Sequence, residues 1–159
     1  MPDVFTKAKR SEVMSRIRSR GNQDTELRLR AVFRAQGITG WRRQVAVRYS
    51  GSGKPPVRKS VRPDFIFRAQ KVAIFVDGCF WHGCPQHGTR PQGNAAFWRA
   101  KFRRNQARDR RDTRRLRREG WHVLRLWEHE LRAKARPGLL VKLRKVFARA
   151  RKSPTKRSG

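Results

Sequence analysis

Arg62-Pro63-Asp64-Phe65-Ile66-Phe67-Arg68, then Ala69-Gln70-Lys71, then Val72-Ala73-Ile74-Phe75-Val76 is the stretch that decides the fold class. The second apolar run is continuous rather than alternating, the pattern of a strand buried on both faces, as in the centre of an α/β sheet. Two strands, 62–68 and 72–76, joined by three polar residues, read as a hairpin. Working outward, Gln44–Tyr49 alternates as a further strand, and 50–60 holds Gly-Ser-Gly and Pro-Pro, the composition of a loop. Upstream, a short helix is expected over Ser11–Arg18 with Val13, Met14 and Ile17 on its apolar side, ended by Gly21-Asn22. A second is expected over Thr25–Gln36, capped by Asp24 or Asn22 and stopped by Gly37. Leu27, Ala31 and Ala35 share one face of it, and Leu29, Val32 and Phe33 widen that face. Downstream, a polar loop (88–93) leads to a long helix from Asn94 to Glu119, closed by Gly120. Trp121–Trp127 is a strand, and Pro137 opens a helix whose apolar side carries Leu139, Leu140, Leu143, Val146, Phe147 and Ala150. The pattern predicts one α/β domain over 1–150, with a mixed sheet flanked by helices, and a disordered basic tail over 151–159.

The 159 residues contain 42 Lys and Arg against 11 Asp and Glu, a formal charge of +31. Such an excess repels itself in a compact fold and points to a polyanionic partner, nucleic acid first. No run of about 18 apolar residues is present, which excludes a transmembrane helix, and no signal peptide is apparent. A cytoplasmic setting is the expectation, and in it Cys79 and Cys84 stay reduced.

Both cysteines and two of the four histidines fall in Cys79-Phe80-Trp81-His82-Gly83-Cys84-Pro85-Gln86-His87. Cys79-x4-Cys84-x2-His87 offers three ligands on one loop, and structural zinc takes four in a tetrahedron. His129, just past a strand end, is the best fourth ligand, whereas His122 sits inside the strand pattern. Two free buried cysteines with unrelated histidines is the competing reading. His82 could bind zinc too, but four ligands are already at hand, which frees it to act as a general base. Asp64 lies on a strand beside the one ending at Val76-Asp77, and a carboxylate there can hold Mg²⁺ against a phosphodiester. By itself Pro-Asp is equally a strand acid making a turn, and Glu26 equally a partner of a helix N-terminus. Arg99–Arg118 holds eleven basic residues and two acids. A solvated face normally mixes Glu with Lys, so this helix reads as a phosphate-tracking surface, with Lys101, Asn105, Arg108 and Arg111 as the expected DNA contacts. Phe80, Trp81 and Trp98 suit wedges between base steps as well as they suit core.

Taken together, these residues resemble the very-short-patch repair endonucleases of bacteria, which nick DNA at T:G mismatches. The markers run from about Arg10 to Leu131: Met14-Ser15-Arg16-Ile17-Arg18-Ser19, Thr25-Glu26-Leu27, Arg62-Pro63-Asp64-Phe65, Gly78-Cys79-Phe80-Trp81-His82, Phe97-Trp98, Arg108-Asp109-Arg110-Arg111, Gly120-Trp121 and Val123-Leu124-Arg125-Leu126-Trp127-Glu128. The resemblance implies the type II restriction-endonuclease fold with a structural zinc. It implies Mg²⁺ on Asp64 and the backbone carbonyl of Val76, His82 as general base, and Glu26 assisting. It also implies Phe80, Trp81 and Trp98 as the wedge at the mismatch, and Cys79, Cys84, His87 and His129 around zinc. The substrate implied is double-stranded DNA with a T:G mismatch, cut 5′ of the T by a monomer without a small-molecule cofactor, in the company of DNA-repair proteins around the nucleoid. Two features depart from the best-known members. Asp77 stands where they have a histidine, so that it is a candidate second metal-binding carboxylate, and their zinc ligands are a different mix of His and Cys. A double-strand restriction or defence nuclease of the same fold, and a zinc-stabilised DNA-binding protein without catalysis, are the alternatives.

Overall fold

The computed structural model describes the backbone of residues 6–51, 55, 58–88 and 93–153, with the side chains of 7, 10 and 13–23 set aside. The first helix, α1 (Lys7–Ala35), is one element where the sequence suggested two. It passes through Gly21-Asn22 without a break. A helical glycine costs only about 1 kcal/mol, less than restarting a helix whose nucleus must be fixed afresh. Its cap is therefore Thr6, whose hydroxyl accepts the Lys9 N–H at 3.3 Å, rather than Asn22 or Asp24. Its buried face is Leu29, Val32 and Phe33, while Leu27 is 48% exposed and Ala31 and Ala35 face solvent. The side chains of Val13, Met14 and Ile17 lie outside the described residues.

The strands expected over 44–49 and 62–68 form only at 47–49 and 65–67, and each is preceded by a further short strand that the sequence did not suggest. β1 (Trp41–Arg43) and β2 (Val47–Ser50) are separated at Gln44, which takes a left-handed conformation (φ 52°). β3 (Arg58–Val61) and β4 (Phe65–Phe67) are separated at Pro63, which has no N–H to give a ladder. The supposed loop over 50–60 thus gives Ser50 to β2 and 58–60 to β3, and residues 52–54 and 56–57 lie outside the described set. The hairpin from β4 into β5 (Val72–Asp77) forms as expected. After residues 89–92, also outside that set, α2 (Ala95–Arg118) begins at Asn94. Asn94 caps by position alone: it is left-handed (φ 54°) and its side chain makes no capping hydrogen bond. β6 (His122–Trp127) follows, and α3 (Arg136–Lys152) closes the described chain, taking in two residues assigned to the tail. Of that tail, 154–159 lie outside the described residues.

The main sheet has the order β1-β4-β5-β6, antiparallel except for the parallel β5–β6 pair, so it is mixed. Strand alternation sorts its residues onto two faces. Phe65, Phe67, Val72, Ile74 and Leu126 pack on one face against Leu29, Val32 and Phe33 of α1 and Leu139, Leu143 and Val146 of α3. Ile66, Ala73 and Phe75 pack on the other, against Leu116 of α2 and Val47 and Val61 of a separate β2–β3 ribbon. Because β4 starts where β5 and β6 end, Asp64, Asp77 and the Glu128–Leu131 turn share one edge of the sheet.

Candidate active site and metal centre

Asp64 precedes β4 and is held by its neighbours at that edge. Oδ2 accepts the Val76 N–H at 2.7 Å, and Oδ1 accepts the Gln44 side-chain amide at 3.2 Å. The same Gln44 amide donates to Glu26 Oε1 at 2.5 Å, and Glu26 also takes the guanidinium of Arg43. Glu26 is buried in mid-helix, some five turns from the N-terminus of α1, so an interaction with the helix end is not its role. Burial pushes the Asp64 carboxyl up to about 6, and nearby Glu26 adds to this against the lowering effect of the Val76 and Gln44 hydrogen bonds. A cation would relieve that burial penalty on the carboxylate. Among the described residues Asp64 belongs to no group of three His, Cys, Asp or Glu ligand atoms. A cation here would depend on one carboxylate, backbone, water and phosphate oxygens, a donor set suited to Mg²⁺.

His82 stands in the loop after β5, where Gln106 of α2 donates to its carbonyl at 3.1 Å. Its Nδ1 lies 2.5 Å from Asp109 Oδ2 and 3.8 Å from Asp77 Oδ1. Asp77, the candidate second metal carboxylate, has both oxygens engaged by Arg125, at 2.8 Å from Nε and 2.7 Å from Nη2. It projects to the α2 face of the sheet, away from the Val76 backbone that holds Asp64. Arg125 Nη2 also reaches Asp109 at 3.1 Å, and its guanidinium lies 4.4 Å from the centre of the Phe75 ring. Burial pushes Asp109 up, but the His82 hydrogen bond and Arg125 outweigh it and hold the carboxylate below its usual range. Burial also opposes the charge on Arg125, but the hydrogen bonds it donates to Asp77, and the charge of that carboxylate, more than compensate and raise its pKa. Asp109 and Arg125 were quoted in the sequence only as parts of motifs. An acid isolated in a run of arginines, and an arginine in the apolar rhythm of a strand, were the signals that each has a buried partner.

The four predicted zinc ligands converge. The donor atoms of Cys79, Cys84, His87 and His129 lie within 4.8 Å of one another. Cys79 Sγ and Cys84 Sγ are 3.3 and 3.6 Å from His129 Nδ1. In a zinc tetrahedron with bonds of about 2.0–2.3 Å, ligand atoms sit roughly 3.5 Å apart, so the set fits that ion. Burial and the adjacent Cys84 raise the Cys79 thiol, and a bound cation would reverse the effect by deprotonating it. His122 is at the other end of β6, opposite Val72, and takes no part.

Beside this centre, Phe80 packs edge-on against Trp81 (5.0 Å) and Trp98 (5.4 Å), and Phe97 and Phe102 extend the cluster. None of the five is fully buried, and Phe97 is 47% exposed. Asn105, an expected DNA contact, donates instead to the Trp81 carbonyl at 2.8 Å, which fixes the loop that carries the aromatics. Arg108 and Arg111 are exposed on α2, and Lys101 is half-buried. Both acids of the helix, Asp109 and Asp112, are half-buried, so its solvent side is basic throughout.

Residues 2–87 match the family model described as DNA mismatch endonuclease Vsr. The chain belongs to that family. The DNA mismatch endonuclease Vsr of Escherichia coli K12 is 36% identical over 84% of this chain and 78% of its own length. The type II nicking enzyme V.NmeAIP of Neisseria meningitidis serogroup A is 35% identical over 85% and 88%. The type II nicking enzyme V.NaeI of Lentzea aerocolonigenes is 56% identical, but the match spans 44% of this chain and only 42% of that enzyme.

Proposed function

We propose that this protein is a Mg²⁺-dependent DNA endonuclease of restriction-endonuclease-like fold and structural zinc that nicks one strand at a T:G mismatch, 5′ of the T. The observation that carries the reading is a desolvated Asp64 at the end of the sheet from which the loop with the His82–Asp109 pair and a half-buried aromatic cluster emerges. The names of the relatives, which include nicking enzymes and a mismatch endonuclease, support single-strand cutting over the double-strand alternative.

Asp64 and the Val76 carbonyl are the groups to hold Mg²⁺, which when bound polarises the phosphate and makes an attacking water more acidic. His82 takes the proton of that water. With Asp109 accepting from Nδ1–H, the ring is oriented and its Nε2 is left as the basic nitrogen. The water oxygen bonds to phosphorus and the bond to the 3′-oxygen breaks. That oxygen leaves with a proton from solvent, giving a 3′-hydroxyl and a 5′-phosphate. Phe80, Trp81 and Trp98 enter the stack beside the mismatch, where opening a weakened pair costs less than opening a matched one. The basic side of α2 tracks phosphates, and zinc on Cys79, Cys84, His87 and His129 pins the loop between the cysteines. Strand-resolved assays on T:G and matched duplexes test the reading. One nick in the T strand of the mismatched duplex, only with Mg²⁺, is expected. Equal cutting of both duplexes, or no cutting, overturns it.

A further inference from the structure

The β2–β3 ribbon grows out of the candidate active site. Gln44, three residues before β2, donates its backbone N–H to the carbonyl of Asp64, three residues after β3, at 3.2 Å. The residue that holds the Asp64 carboxylate and Asp64 itself therefore form the root of the ribbon. The register pairs Val47 with Val61, Arg48 with Ser60, Tyr49 with Lys59 and Ser50 with Arg58. Val47 and Val61 pack inward on the sheet. The other side of the pleat carries Arg48, Ser60, Ser50 and Arg58, all exposed. Tyr49 is capped by Arg115 of α2, whose guanidinium lies 4.8 Å from the centre of its ring, so the ribbon and the basic helix are continuous.

From Trp41 to Pro63 the chain has seven cations and no acid. Cations along a ribbon do discourage strand pairing between molecules, but a surface built for solubility alone mixes both signs. The described strands extend roughly 13 Å at about 3.3 Å per residue, the span of several phosphates at 3.4 Å along one strand of a duplex. Grooves of B-DNA admit a two-stranded ribbon.

We propose that the β2–β3 ribbon is a second DNA-binding element, which grips the backbone of the duplex flanking the nicked phosphate through Arg48 and Arg58. The proposal rests on the reading of this protein as a DNA endonuclease, with α2 and the aromatics as the first element. Charges on both sides of Asp64 would hold the duplex across the reacting phosphate rather than at one side of it.

The test is equilibrium binding of the full chain to an uncut duplex without Mg²⁺, across a salt series, which is independent of whether nicking occurs. Each lost phosphate contact removes about 0.9 from the slope of log K against log salt. The R48A/R58A variant should bind more weakly, with a slope shallower by roughly 2 and an unchanged melting temperature. Ser60→Glu, one exposed change on the same face, should weaken binding several-fold and serves if the double variant does not fold. Parental slope and affinity in the folded variants overturn the proposal. A parent that binds duplex with the ribbon's share of the slope but does not nick contradicts the endonuclease reading and leaves the ribbon standing. A parent that does not bind duplex overturns both.

Discussion

Cys79, Cys84, His87 and His129 assemble four donors from one loop and the turn that follows β6, with protein atoms alone completing the set. Across β5, the Asp64 carboxylate is fixed by a backbone N–H and by a glutamine amide that it shares with Glu26, and among the described residues it belongs to no group of three ligand side chains. The first arrangement needs no substrate atom to reach four donors, as a structural zinc centre would. The second would need water and phosphate oxygens to complete a Mg²⁺ shell. Between them stands His82, carried by the metal-type loop but hydrogen-bonded to α2. The contrast teaches how one short segment can serve both: its cysteines bind the loop down so that its histidine and aromatics are aimed.

The sharpest way to break this division is at Asp64. Asp64→Asn should lower the single-turnover nicking rate by more than about 10³-fold, the loss of several kcal/mol of transition-state stabilisation, while zinc content stays intact. Cys79→Ser should do the reverse. Zinc stoichiometry by metal analysis should fall, and thermal stability should drop by several kcal/mol, because binding energy at a structural zinc is folding energy; an unchanged melting temperature would count against the structural centre. Asp77→Asn tests whether Asp77 serves charge balance rather than metal binding. It leaves Arg125 buried without its bidentate partner, and denaturant melts should show a loss of roughly 3 kcal/mol with Mg²⁺ affinity unmoved. Asp109→Asn removes the negative charge that favours Nδ1–H on His82 and lets an amide N–H compete for the ring, and it should cost about 10²-fold in rate, within the range for general base catalysis, with duplex affinity retained.

The smallest effect concerns pH. The Asp64 carboxyl, pushed up to about 6 in the fold by burial, binds its proton more tightly there than in the unfolded chain. The folded state is therefore favoured below the unfolded pKa and loses that advantage as pH rises through about 6. In Mg²⁺-free buffer, Asp64→Asn should be more stable than the parent at pH 8 by roughly 3 kcal/mol, from about 1.4 kcal/mol per pKa unit, and the gap should close toward pH 4. Nicking by the parent at low Mg²⁺ should fall below pH 6, where the protonated carboxyl competes with the cation.

How much of this was legible in the sequence follows from how local each feature is. The convergence of Cys79, Cys84, His87 and His129 was readable because three of the four are spaced along one loop, and β5 because an unbroken apolar run has little else to be. The helix break at Gly21-Asn22 was misread because a single glycine is weaker than helical cooperativity. Of the ribbon, β2 was read within the strand over 44–49, but β3 was missed because it is short and basic, with Val61 as its only apolar signal. The ion pair of Asp77 was not legible because its partner Arg125 is 48 residues away and meets it only through the parallel β5–β6 pairing. Asn105 reads as a DNA contact in a basic helix, but a helix facing a loop must also satisfy that loop's carbonyls, and this amide does so.

The division between the two sites is tested most directly on one preparation of Asp64→Asn, assayed for zinc content, for binding to a T:G duplex and for nicking of it. The account predicts one zinc per chain, affinity within a few-fold of the parent, and nicking reduced by more than about 10³-fold. Nicking within tenfold of the parent, in protein that keeps its zinc and its DNA binding, would contradict it.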